Sequence, residues 1–243
     1  MVMKSSELWD TAMSKLTLSM IVKNESHRYL RTALIKHRDW IDEAVIIDDG
    51  STDDTVEICK ELLTGIPLQL IQNAESRFSN EVILRKQQWE ETIRTNPEWI
   101  LNLDADEIME DQFAKQVADL LSQCEQDVVY FRLYDMWNET CYREDAYWSA
   151  HHTYRPFLLR YKPNFPYLWK ETAQHCGRFP ATINQFSYVC HPARVKHFGW
   201  ANAEDRKMKY ERYMRLDPNA QFGWKEQYES ILDDQPRLIK WEE

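Results

Sequence analysis

Over its first 133 residues this chain alternates short apolar runs with segments of helical spacing, and that alternation limits what it can fold into. The runs at 16–22, 44–47, 67–71, 99–103 and 127–133 read as strands, short and rich in Ile, Leu and Val. Between the first two, Leu30, Ala33, Leu34 and His37 recur at helical spacing within 26–37. A second helix is expected over 53–63, with Ser51 or Thr52 as its cap, acids in its first turn and Gly65 at its end. A third runs from 79 to 93 and is broken by Asn96-Pro97; a fourth covers 111–122. Strand–helix–strand repetition predicts an α/β fold with a mostly parallel, Rossmann-like sheet and helices on both faces.

The second half breaks this rhythm. Between 134 and 198 the segments are short, aromatic and punctuated by Pro156, Pro163, Pro166, Pro180 and Pro192. They are expected to form irregular strands and loops over the sheet's carboxyl edge. A helix over 203–216 mixes Lys, Arg, Glu and Tyr and should present a mostly solvated face. The tail from 221 to 243 is amphipathic and should pack back on the body. No repeat or linker interrupts the chain, so residues 1–243 are expected to be one domain, its two halves meeting near residue 133.

Composition narrows the function classes. A net charge of −10 argues against general binding of nucleic acid through its phosphates, without excluding a local basic pocket. Five scattered cysteines with no C-x-x-C spacing read as reduced thiols rather than a disulfide frame or zinc site, and imply a cytoplasmic setting. No apolar stretch approaches the ~20 residues of a membrane span.

Two predicted strand ends carry acids: Asp48-Asp49-Gly50 after the second, and Asp104-Ala105-Asp106 after the fourth. In a doubly wound sheet both stand at the carboxyl edge, where such folds bind ligands. Asp49 before a glycine turn can accept hydrogen bonds from a base or a ribose, and Asp48 can alternatively act as a cap. Asp104 and Asp106 can share a hard divalent cation that bridges to phosphates, or can simply end a strand.

Three segments in order, Leu18-Ser19-Met20-Ile21-Val22-Lys23-Asn24-Glu25, Ile46-Ile47-Asp48-Asp49-Gly50-Ser51-Thr52-Asp53 and Leu103-Asp104-Ala105-Asp106, resemble the family 2 glycosyltransferases of GT-A fold. The resemblance implies a nucleoside-diphosphate sugar donor, UDP-linked, a Mn²⁺ or Mg²⁺ cofactor, and inversion at the anomeric carbon. It places Val22 and Glu25 on the nucleoside pocket, Asp49 with Asp48 on the base, Asp104 on ribose or metal, and Asp106 on the metal. Ile21 and Lys23 depart from the Pro and Tyr common in that opening, which leaves the base open. Arg85 falls where the family often carries a phosphate-binding Arg, with Lys86 and Arg77 as further cations. A late histidine often completes the metal site; His197 matches it, with His175 and His191 as competitors. Inverting transfer also needs a general base beyond the metal strand. Asp145 is the expected base, with Glu144 and Asp135 behind it. Trp137, Trp148, Trp169 and Trp200 are candidate sugar platforms or structural rings. His197-Phe198-Gly199-Trp200 and the basic helix after it are similar to bacterial branches, some linked to spore-coat or envelope polysaccharides.

Two other readings compete. A haloacid-dehalogenase-type phosphatase also places Asp-x-Asp after an apolar strand. However, it wants Thr or Val where Ile108 stands, and it leaves Asp48-Asp49-Gly50 unexplained. A non-catalytic nucleotide- or sugar-binding relative stays open. The acceptor, a saccharide or other hydroxyl compound, is not legible.

Overall fold

Leu16, Leu18 and Met20 are fully buried on one face of β1 (Leu16–Val22), and Thr17 and Ser19 are as deeply buried on the other. A strand covered on both faces belongs at the centre of a layered sheet. The computed structural model describes residues 14–173, 175–221 and 223–243. After β1 come α1 (Leu30–His37), β2 (Glu43–Asp48), α2 (Thr55–Leu62), β3 (Leu68–Gln72), α3 (Glu81–Arg94) and β4 (Trp99–Asn102). Then follow β5 (Glu107–Met109), α4 (Phe113–Gln123), β6 (Val128–Asp135), β7 (Cys141–Arg143), β8 (Tyr154–Arg160) and β9 (Tyr188–His197). The chain ends with α5 (Ala203–Leu216), α6 (Lys225–Ser230) and β10 (Leu238–Lys240).

Eight strands form one sheet in the order β3-β2-β1-β4-β8-β6-β9-β5. The first four strands, β1 to β4, run parallel, as their alternation with helices requires. Chain order reverses beside β1, with β2 on one side and β4 on the other. That reversal opens a crevice at the strands' carboxyl ends. Leu30 and Leu34 of α1, Ile58 and Leu62 of α2, and Phe113 and Val117 of α4 join the apolar side of β1 in one core. On the other face α3 lies against β1, where the Ser19 and Thr92 hydroxyls bond at 2.7 Å.

Two expectations change. Residues 154–160 and 188–197 do not lie over the carboxyl edge: β8 inserts between β4 and β6, and β9 between β6 and β5. Their prolines hid them. Pro156 pairs opposite Tyr130 where the β6–β8 register shifts, and Pro192 falls within the shift between β6 and β9. A proline has no N–H for the ladder, so the bulge takes up the missing bond. The start of α2 also differs: its N-cap position is Asp54, with no side-chain cap bond, and Asp53 rather than Ser51 or Thr52 accepts from the Thr55 backbone N–H at 3.1 Å. The tail does pack back, β10 pairing antiparallel with β7.

Among the described residues no helix is long and apolar enough to cross a membrane.

Candidate active site

β5 is only three residues long, yet it sets the site. Its ladder with β9 places Glu107 opposite His197, and the Phe198 N–H donates to the Asp106 carbonyl at 2.8 Å. On the other side of β9, Asp135 of β6 is also in register with His197. Side chains directly opposite in neighbouring strands lie close enough to bond. His197 Nδ1 and Asp135 Oδ1 are 2.7 Å apart, and His197 Nε2 lies 3.7 Å from Asp106 Oδ2.

Asp106, His197 and Lys209 converge on Gly199. A Cβ built there would fall 2.6 Å from Asp106 Oδ2 and from His197 Nε2, and 2.2 Å from Lys209 Nζ. Only glycine leaves this point open. A carboxylate oxygen and an imidazole nitrogen, the latter oriented by a second carboxylate, suit a divalent ion such as Mn²⁺. Lys209 Nζ itself stands 3.8 Å from Asp106 Oδ2 and 4.5 Å over the Trp200 ring. Burial favours neutral His197, but Asp106 and the hydrogen bond to Asp135 outweigh it and raise the ring's pKa. Burial likewise opposes charge on Asp106, yet His197 and Lys209 keep its carboxyl below the usual range. Lys209 is lowered by burial, with Asp106 working against that.

Asp104 sits one step away. Arg85 Nη2 of α3 donates to its Oδ1 at 2.9 Å, and its backbone N–H donates to Glu107 Oε2 at 2.8 Å. Glu107 in turn takes both guanidinium arms of Arg178 at 2.8 Å. Burial penalises the Asp104 charge, but Arg85 and Arg178 hold its carboxyl well below the ordinary carboxylate range.

A cleft of about 500 Å³ opens over these groups, with Val22, Glu25, Arg28, Asp104, Asp106 and His197 in its wall. Arg85 and Glu81 of α3, His175, and Lys209, Arg212 and Tyr213 of α5 line it too. Glu25 is the odd group. Arg28 Nη1 reaches its Oε1 at 2.9 Å, while Oε2 is buried with no hydrogen-bond partner among the described residues. Burial, only partly offset by Arg28, pushes its carboxyl up to about 8.

The sequence-derived sites sort into three groups. Val22, Glu25, Arg85, Asp104, Asp106 and His197 meet in the cleft. Asp48 and Asp49 do not line it. Asp49 is fully buried and accepts from Asn73 Nδ2 at 3.0 Å, Ser76 Oγ at 2.6 Å and the Arg77 N–H at 2.9 Å. It therefore shapes the 73–77 loop rather than facing the cleft. Asp48 caps the adjoining turn, accepting from Ser51 N–H at 3.2 Å.

The third group does not line the cleft. Asp145, expected as the base, accepts from Arg143 Nε at 2.6 Å and from the Tyr147 and Trp148 N–H groups at 2.9 and 3.1 Å. Arg143 is 1% exposed, so Asp145 is needed to neutralise a buried cation and is not among the cleft's lining. Glu144 is bound to His151, and Asp135 holds His197, so neither runner-up faces the cleft. Lys86 pairs outward with Glu171, and Arg77 binds Gln87. Among the tryptophans, Trp137, Trp148 and Trp200 pack on one another in an aromatic cluster, and Trp169 packs in another.

Sequence reading missed Arg28, Arg178, Lys209 and Arg212. A signal existed for α5: Lys209, Arg212, Tyr213 and Leu216 share one helical face, and all line the cleft. The helix is less solvated than its composition suggested.

Fold and site together define a protein of the GT-A class, with its cleft at the switch point of an open α/β sheet. The chain belongs to the family described as Glycosyl transferase family 2, whose sequence model matches residues 17–178. An uncharacterized glycosyltransferase of Rickettsia prowazekii is 30% identical over 117 residues, covering 47% of this chain and 36% of that protein. An uncharacterized protein of Mycobacterium tuberculosis is 24% identical over 232 residues, covering 88% of this chain and 54% of its own length. The chain thus spans about a third to a half of the curated relatives it matches. S. aureus TarS 1–349, crystallised with UDP, has TM-score 0.52 at 17% identity, covering 90% of this chain and 69% of that one. That likeness is one of fold.

Proposed function

We propose that this chain transfers a sugar from a nucleoside-diphosphate sugar, UDP-linked, to an acceptor hydroxyl with inversion, using Mn²⁺ or Mg²⁺. The observation that carries the reading is the convergence of Asp106 Oδ2 and Asp135-oriented His197 Nε2 on one point beside Gly199. TarS complexes with UDP and with UDP-GlcNAc support a uridine donor. Residues 1–243 act in this reading as one unit, its first 133 residues holding the donor and the remainder the acceptor.

Asp106 and His197 would hold the ion, with Asp104 near it; the ion would stabilise charge on the departing diphosphate. Arg28, Arg85, Lys209 and Arg212 supply the positive field a diphosphate needs in a chain of net charge −10. Val22 bounds the nucleoside pocket, and Glu25 offers its buried Oε2 to the ligand as a hydrogen-bonding group. Asp49 acts on the base indirectly, through the 73–77 loop. Asp145 does not line the cleft, so the acceptor's proton goes to one of the two cleft carboxylates not assigned to the donor: Glu81, which accepts from the His175 N–H, or Asp217, which accepts from the Tyr228 hydroxyl.

Thermal shift and calorimetry with a panel of nucleoside diphosphates, with and without Mn²⁺, test this. A ligand that binds only the native state raises its melting point. UDP should do so only with the ion, and Asp106→Asn should abolish that response while keeping the fold. Hydrolysis of p-nitrophenyl phosphate with no response to any nucleoside diphosphate would overturn the reading in favour of a phosphatase.

A further inference from the structure

Away from the cleft, Glu144, His151 and His152 bring three ligand atoms within 4.8 Å of one another. Glu144 follows β7, and the histidines occupy the single 3-10 turn Ala150–His152 ahead of β8. Both rings address one carboxylate oxygen: Glu144 Oε2 is 2.9 Å from His151 Nε2 and 3.9 Å from His152 Nε2. The other oxygen, Oε1, takes Arg237 Nη2 at 3.2 Å.

With bonds of about 2.0–2.1 Å, neighbouring ligands of a tetrahedral zinc ion stand roughly 3.3–3.5 Å apart. The two measured separations bracket that spacing, so small side-chain rotations would complete a site. The donors are already positioned. His151 is buried, stacked on Tyr134 at 5.0 Å and met edge-on by Tyr142 at 5.1 Å. The His152 side chain is 63% exposed, which gives an ion a path from solvent. An ordinary ion pair explains only part of this. Arg237 and His151 already satisfy Glu144, and a solvated ring gains little by turning to the same oxygen.

We infer that Glu144, His151 and His152 form a second metal site, selective for zinc-class transition ions, with its fourth position open to water. Two imidazoles and one carboxylate favour Zn²⁺, Co²⁺ or Ni²⁺ over Mg²⁺ and Ca²⁺, which prefer all-oxygen shells. The ion clamps the end of β7 to the start of β8. Through the Glu144 N–H, which donates to the Arg237 carbonyl at 3.0 Å, it also secures the segment leading to β10.

The test is a Co²⁺ titration of the chelator-stripped, tag-free chain, read by visible absorption, with Zn²⁺ thermal shift in parallel. Wild type should develop tetrahedral Co²⁺ bands, and His152→Ala, an exposed change, should lose at least about tenfold in affinity. Asp106→Asn should leave the bands unchanged, which separates this site from the cleft. Absence of bands in wild type, equal binding by His152→Ala, or loss of the bands in Asp106→Asn alone would each overturn the proposal.

Discussion

Asp135 Oδ1 and His197 Nδ1 lie 2.7 Å apart across two paired strands, leaving the imidazole's Nε2 turned towards Asp106. This one contact fixes which ring nitrogen faces the cleft, and with it what the histidine can do there. A metal-ligating histidine characteristically has its other nitrogen held by a carboxylate or carbonyl.

Asp135→Asn should therefore weaken Mn²⁺ binding about 10–100-fold, because an amide holds the ring orientation less firmly. Metal-free stability should change little. Calorimetry with Mn²⁺ checks it, and an unchanged affinity would remove His197 from the ion's shell.

Lys209 places an ammonium 3.8 Å from Asp106 Oδ2, where it competes with any ion for the same carboxylate. Lys209→Met should tighten Mn²⁺ binding without nucleotide by roughly tenfold, a fraction of the Coulomb energy at that range. It should also weaken UDP binding, since a phosphate partner is lost. Opposite signs in the two titrations are the signature.

Glu25 makes stability depend on pH. Its carboxyl is raised by burial to about 8 in the folded chain, against 4.5 for the ordinary group. A raised pKa contributes stability that is fully present below the unfolded value and is lost as pH climbs through the folded value. Wild type should thus lose stability between about pH 5 and 8 relative to Glu25→Gln. The gap should reach on the order of 1–2 kcal/mol, or several degrees in melting point, allowing for partial relaxation at the cleft. Parallel melting curves of the two proteins across that window would contradict it.

Asp145 should prove structural. Asp145→Asn leaves Arg143 buried with Asp233, at 3.1 Å, as its remaining acid partner among the described residues. A loss of about 1–3 kcal/mol in denaturant melts is expected, with transfer per folded molecule retained. Normal stability with abolished transfer would restore Asp145 as the base.

Most of the donor half was legible because β1 to β4 each carry their own signal, whereas the three residues of β5 (Glu107–Met109) are too few to show a pattern. Leu16, Leu18 and Met20 announce a buried strand, and the acids after β4 mark its exit into the crevice. The family resemblance then assigned Glu25, Asp104 and Asp106 to a shared site, and they do line one cleft. The acceptor half was not legible, since Pro156 and Pro192 sit at register shifts and break the strand pattern that a reader relies on. Asp145 looked as suitable as any other acid, because no local pattern reveals that the neighbouring Arg143 is buried and must be neutralised.

The sequence by itself determined the class of fold, the parallel order of the first strands and the acids that end them. Those follow from residue spacing, to which helices and strands respond locally. Only the tertiary structure decided that His197, 62 positions from Asp135, is held by it and set against Asp106. It also decided that a basic helix lends Lys209 to the same point. These meetings depend on β5, β9 and β6 pairing side by side, and a pairing between segments so distant leaves no periodicity in the chain.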